Sequence, residues 1–203
     1  MSITFYFTPM STASTVHWSL EELQIPYEGV QVNLKDEADK KAKLGPVNPN
    51  LMVPVLVHEG TAIFESAAIQ IYLGETFGVD KGLYPKPGPE RAEALKWLVW
   101  TNVSLGEAVA RWLRHTQGEE SQRNAVAGAL AREDVARLHA MVEANLADRE
   151  YMLGDKVSLV DFHIVSHFHW MSLCGIDLSA FPKSAEWVER CSARAANQKL
   201  MAA

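Results

Sequence analysis

The chain has 203 residues, 48% hydrophobic and 22% charged, with a formal net charge of -6, an ordinary globular composition with length enough for one domain or two small ones. A net acidic chain without a basic stripe argues against nucleic acid as a partner. Two cysteines outside any C-x-x-C pattern exclude a disulfide scaffold and a cysteine-rich metal fold.

No apolar run approaches the roughly 18 residues of a membrane span. The first ten residues lack the basic and long apolar regions of a signal peptide, so the expectation is a cytoplasmic protein. The charge is unevenly spread. Residues 1–80 hold four Lys, no Arg and ten acids, whereas residues 81–203 hold fifteen residues of each sign. The whole excess lies in the first part, a first sign of two units.

Residues 3–7 (ITFYF) are β-branched and aromatic and stop at Thr8-Pro9, which predicts a short buried strand. Val16, Leu20 and Leu23 then recur at helical spacing, with Glu21 and Glu22 outward, until Pro26. Residues 27–32 alternate as a second strand, and residues 35–44 predict a short, charged, loosely packed helix. Gly45-Pro46 and Asn48-Pro49 punctuate a loop. Residues 53–57 predict a strand with Pro54 near its start, 58–61 a turn, 62–64 a return strand, and 65–76 a helix. The order is β-α-β-α-β-β-α.

Residues 77–89 hold three Gly and three Pro and read as a linker, with Pro89 suited to the first turn of the next helix. Every later signal is helical. Residues 90–116 place Leu95, Val99, Val103 and Ala110 on the face assigned to the core. Residues 121–148 repeat at Val126, Leu130, Leu138, Val142 and Leu146. A third helix runs from Ser158 to about Cys174, apolar on most sides and so expected in the middle of a bundle. A capping box with Asp161 in place of Glu or Gln is expected at its start. A fourth helix is predicted near residues 184–195.

Two segments in this arrangement resemble those of the cytosolic glutathione S-transferases of bacterial type, and the resemblance covers essentially the whole chain. Met52-Val53-Pro54-Val55-Leu56 is similar to the family's loop holding a cis proline. Phe64-Glu65-Ser66-Ala67-Ala68-Ile69 is similar to its Glu-Ser turn. The chemistry of the second segment makes sense unaided. Ser66 stands at a helix N-terminus, where free N–H groups and the helix dipole favour a carboxylate, and Glu65 beside it can receive an ammonium. A third segment, Gly154 to Asp161, resembles the family's capping motif and serves stability.

The resemblance implies an N-terminal thioredoxin-like domain over 1–78 that binds glutathione, a linker over 79–89, and an all-helical domain over 90–203 that adds an apolar pocket. It also implies a homodimer. It assigns the cysteinyl part of glutathione to Val53 and Pro54, and the γ-glutamyl end to Glu65 and Ser66. Where the family usually places a polar residue for the glycyl end, this chain has Leu51 and Met52. Lys35 is then the first choice, from a basic cluster with Lys40, Lys41 and Lys43.

Glutathione chemistry needs an ionised thiol, and a free thiol has a pKa of about 8.5 that a donated hydrogen bond lowers. Counted from Pro9, Ser11 matches the family's Ser-type position and Thr12 the position of the beta-class Cys. Either hydroxyl suits the role, and helix N-capping is the competing use of both. Tyr6 is out of register by one residue. With no Cys here, no mixed disulfide with glutathione forms. The beta-class His-Lys pair is also absent, since Gly106 and Glu107 occupy those places.

Met10, Trp100 and Trp112 are candidates to line the substrate pocket. His163 and His167 stand four apart on one helix, but without a third ligand they read as core histidines, and no metal is expected. The function implied is glutathione transfer to a small apolar electrophile. The alternatives are a non-catalytic binding or adaptor protein, or a glutathione-dependent isomerase, dehalogenase or peroxidase. Glutathione is itself negative, as is the unit expected to hold it, so capture would rest on local groups.

Overall fold

The computed structural model describes residues 2–177 and 179–202. Its sheet has four strands in the order β2-β1-β3-β4: β1 (Ile3–Phe7), β2 (Tyr27–Gln31), β3 (Val55–His58) and β4 (Thr61–Phe64). β1 runs parallel to β2, with Ile3 opposite Tyr27, and antiparallel to β3, with Phe5 opposite Leu56. As an inner strand it buries Ile3 and Phe5. β3 and β4 are joined by Glu59 and Gly60, both at positive φ, the backbone of a two-residue hairpin turn that matches strand twist.

Three helices accompany the sheet: α1 (Ala13–Leu23), α2 (Glu37–Leu44) and α3 (Ser66–Leu73), the last running on as a π-helical turn over Gly74–Gly78. This is the mixed sheet of a thioredoxin-like unit. α1 buries Val16, Leu20 and Leu23 at the expected spacing. α2 is capped by Asp36, whose carboxylate accepts from the N–H groups of Ala38 and Asp39, and it buries only Leu44.

The remainder is helical: α4 (Pro89–Trp100), a π-helical segment (Thr101–Gly106), α5 (Glu107–Thr116), α6 (Ala125–Asn145), α7 (Leu159–Leu173), α8 (Pro182–Ser192) and α9 (Ala195–Met201). Two predicted faces need correction. Val99 and Val103 are 48% and 68% exposed, and Ala94, Trp97, Leu98, Leu105, Ala108 and Val109 are buried instead. The π-helical segment shifts the helical phase, so a 3.6-residue count carried into it misplaces Val103; Val99 precedes the segment, and on α4 it is Ala94, Trp97 and Leu98 that are buried. On α6, Val126 and Leu130 are exposed while Gly128, Ala131 and Val135 are buried. A Cβ on Gly128 would stand 2.9 Å from the Thr116 side chain. Close approach of α5 and α6 thus selects small residues, which a count of large apolar ones overlooks.

The Gly/Pro segment is packed rather than free. The Tyr84 ring lies against Gly74, where a Cβ would meet it at 2.5 Å, and Leu159 N–H donates to the Leu83 carbonyl over 2.9 Å. α7 is buried along most of its length. Asp161 holds its start: Oδ2 accepts from the N–H and the hydroxyl of Ser158, and Oδ1 from Met152 N–H and the Trp187 indole, all within 2.9 Å. Burial pushes this carboxyl up, and the four donors pull it back. α9 returns to α1, where Arg194 forks onto Glu22 with both contacts at 2.6 Å. No helix among the described residues is long and apolar enough to cross a membrane.

Histidine burial sets an acid limit on this fold. His139 is held between the rings of Phe168 and Phe181, and burial lowers its pKa to about 4. His163, His167 and His169 are lowered for the same reason. An unfolded histidine titrates near 6.5, so between about pH 6.5 and 4 the unfolded chain binds more protons, and stability falls as pH falls. Asp161, raised by burial, opposes this in part. Urea midpoints should decline through that window, and His139→Leu should make the decline shallower. An unchanged slope in the variant would contradict the assignment.

Candidate active site

The site begins where β1 ends. Thr8 donates its hydroxyl to the Val32 carbonyl over 2.7 Å, fastening the turn to the end of β2. Met10 takes φ 58, a left-handed backbone uncommon for a bulky side chain, and its side chain is 67% exposed. The chain then enters α1 through Ser11 and Thr12. These two hydroxyls, equivalent in the sequence, differ in the structure. Ser11 donates to the Thr8 carbonyl over 2.7 Å and accepts from Ala13 N–H over 3.2 Å, so it serves as a local cap. Thr12 is exposed, and its hydroxyl reaches only the Val53 carbonyl at 3.4 Å, the long limit of a hydrogen bond.

The Val53–Pro54 bond is cis. The loop before it is held by Asn48, whose amide donates to the Met52 carbonyl over 2.9 Å. Glu65 is exposed at φ 71, and this turn starts α3 at Ser66, which is 4% exposed. The Ser66 hydroxyl accepts from the Asn102 amide over 2.9 Å. The Asn102 carbonyl oxygen in turn faces Nε2 of His163 at 2.9 Å, so that nitrogen is the donor. His163 Nδ1 is left as a buried acceptor without a partner among the described residues.

Asn102 and His163 were not among the predicted site residues. Asn102 lies in the π-helical segment, whose phase a regular helical count misplaces, and His163 was read as core.

A cavity of about 100 Å³ lies between α1 and α7. Met10, Ser11, Thr12 and Thr15 form one wall, and Ser166, His167 and Trp170 the other. Its tryptophan is Trp170. Trp100, which packs edge-on against Trp97 with centroids 5.1 Å apart, and Trp112 are not among its lining residues. Of the basic cluster, Lys40 pairs with Glu37 and Lys43 with Asp39. Lys35 is exposed and makes no ion pair among the described residues. The described residues contain no group of three or more His, Cys, Asp or Glu placed to hold a metal.

The hydroxyl pair, the cis-proline turn and the Glu-Ser turn therefore adjoin one end of the sheet, where Tyr6 pairs with Val55 and Val55 with Phe64. The family model described as the N-terminal domain of glutathione S-transferase matches residues 9–76, and that of the C-terminal domain matches residues 108–195. The chain belongs to the glutathione S-transferase family. Among curated relatives, glutathione S-transferase GstB of Escherichia coli is 29% identical over 188 residues, covering 90% of this chain and 89% of its own. Disulfide-bond oxidoreductase YfcG of the same organism is 26% identical over 201 residues, covering 96% and 92%. Among solved structures, the nitrogen regulation fragment of the yeast prion protein Ure2p superposes with a TM-score of 0.90 at 22% identity, covering 98% of this chain and 95% of that one. Proteins with three different names are thus similar to this chain in sequence or in fold, so activity has to be argued from the site.

Proposed function

We propose that the protein is a glutathione transferase in which Thr12 donates a hydrogen bond to the glutathione thiolate. The observation that supports this is the unequal commitment of the two hydroxyls. Ser11 has spent its hydrogen on Thr8 and a lone pair on Ala13, whereas Thr12 is exposed and its only partner is a long contact to Val53. By the family resemblance, Val53 is also the residue that meets the cysteinyl backbone, so the sulfur would come to rest beside Thr12. Ser11 then shapes the turn that presents Thr12.

Pro54 holds the cysteinyl-binding turn. Glu65 and Ser66 take the ammonium and carboxylate of the γ-glutamyl end, with Asn102 fixing the Ser66 hydroxyl. Lys35 is assigned the glycyl carboxylate. The thiol proton leaves to solvent. The sulfur lone pair forms the new carbon–sulfur bond, and a leaving group departs with its electron pair. Met10 stands at the entrance to the cavity that receives the electrophile. A cytoplasmic place of action suits this chemistry and the free Cys174 and Cys191.

Conjugation of a reactive aryl halide checks the assignment. Thr12→Ala should lower kcat/KM about 100-fold, the scale of losing one preorganised donor to a reacting anion, while Thr12→Ser retains most of it. Ser11→Ala should chiefly cost stability, about 1 kcal/mol for a lost cap. Loss of turnover with Ser11→Ala but not with Thr12→Ala would reverse the assignment. Glutathione binding without turnover of any electrophile would favour the non-catalytic reading.

The exposed Val99 and Val103 are assigned to a homodimer contact. Sedimentation should give twice the chain mass, and Val103→Glu should shift it toward one. A native protein that sediments as a single chain would remove the contact.

A further inference from the structure

The hydroxyls around the cavity have one property in common: most of their hydrogens are already spent. Ser11 donates to Thr8 O, Thr15 to Thr12 O over 3.0 Å, and Ser166 to Phe162 O over 2.8 Å. Each therefore shows the cavity lone pairs. Two further polar groups belong to the lining residues: the indole N–H of Trp170, a donor, and the imidazole of His167, only 6% exposed. Its Nδ1 lies 2.9 Å from the His163 carbonyl oxygen. A carbonyl can only accept, so Nδ1 carries the hydrogen and Nε2 carries a bare lone pair.

Nε2 has no hydrogen-bond partner among the described residues and is not sealed from solvent. It lies beside Gly106, whose missing Cβ would stand 3.8 Å from it. A longer side chain at 106 would grow over that nitrogen, and glycine leaves it bare. Burial keeps the ring below its usual pKa, so it is neutral and accepting near pH 7. No Lys or Arg is among the lining residues; the proposed reaction commits the Thr12 hydroxyl to sulfur, and the Trp170 indole N–H is the other side-chain donor there.

We propose that His167 is a specificity-determining residue, whose Nε2 accepts a hydrogen bond from a hydroxyl or N–H group on the cosubstrate. The preferred electrophile is then a small molecule carrying a donor on its buried end, rather than a purely apolar one. About 100 Å³ admits a few heavy atoms, so the donor group itself is what the cavity encloses. A ligand group that is only an acceptor gains nothing from Nε2. This rests on the transferase reading for the reaction, but for binding it requires only that glutathione conjugates occupy the site.

The test is the affinity of the intact protein for S-benzylglutathione and for its three hydroxybenzyl isomers, measured by calorimetry. The best isomer should bind about tenfold more tightly than the benzyl conjugate, as one added hydrogen bond provides. His167→Leu should remove that preference while leaving the benzyl affinity within about twofold. His167→Gln, which keeps an acceptor at that depth, should retain part of it and serves if the Leu variant does not fold. No preference among the isomers in the native protein, or a preference that survives His167→Leu, would overturn the proposal. A preference without turnover of any electrophile would sustain His167 and remove the transferase reading; turnover without a preference would do the reverse.

Discussion

The burial of α7 is the constraint on which the site depends. A helix buried along most of its length has to settle most of its polar side chains inside the protein, because each one left unpaired costs about 1–3 kcal/mol. Asp161 settles against four donors from the preceding loop and α8. His163 settles against Asn102, and through it against Ser66 at the start of α3. Ser166 and His167 turn back onto carbonyls of their own helix. The first pairing positions α7, the second couples it to the turn that would read the γ-glutamyl end, and the third decides which lone pairs reach the cavity.

α1 contributes the complementary half. Its first turn uses Ser11 internally and leaves Thr12 facing the cis-proline loop. The acids of this helix are at the other end, roughly 15 Å away at 1.5 Å per residue. There Glu21 is paired with Lys199 and Glu22 with Arg194. This bears on the puzzle of an acidic unit holding an acidic ligand. The negative charge of α1 is neutralised by α9 and kept from the end where a thiolate would form, while Lys35 is left without an ion pair among the described residues.

Much of this was legible in the sequence. Period-two and period-3.6 patterns marked the strands and α1, Pro54 and Ser66 marked the cis-proline turn and the start of α3, and Asp161 marked the start of α7. What escaped has a common cause: contacts that depend on how far apart or how rotated two elements are. The π-helical segment changes the phase at Asn102 and Val103, and nothing in a regular repeat announces such a segment. Gly128 and Ala131 bring α6 close to α5 by being small, which hydrophobicity does not record. Ser11 and Thr12 are indistinguishable as adjacent hydroxyls, and only the backbone at Met10 gives them different partners. Trp170 lines the cavity in place of Trp100 and Trp112 because that space opens between α1 and α7.

The central claim is that Thr12, the cavity hydroxyl whose hydrogen is engaged only by a long 3.4 Å contact to the Val53 carbonyl, holds the thiolate. The ultraviolet absorbance of protein-bound glutathione, followed through a pH titration, measures this directly, since thiolate and thiol differ in absorption. The account predicts a midpoint at least one pH unit below the free-thiol value of about 8.5, returning toward that value in Thr12→Ala. A bound thiol that titrates at or above about 8.5 in the native protein would contradict it.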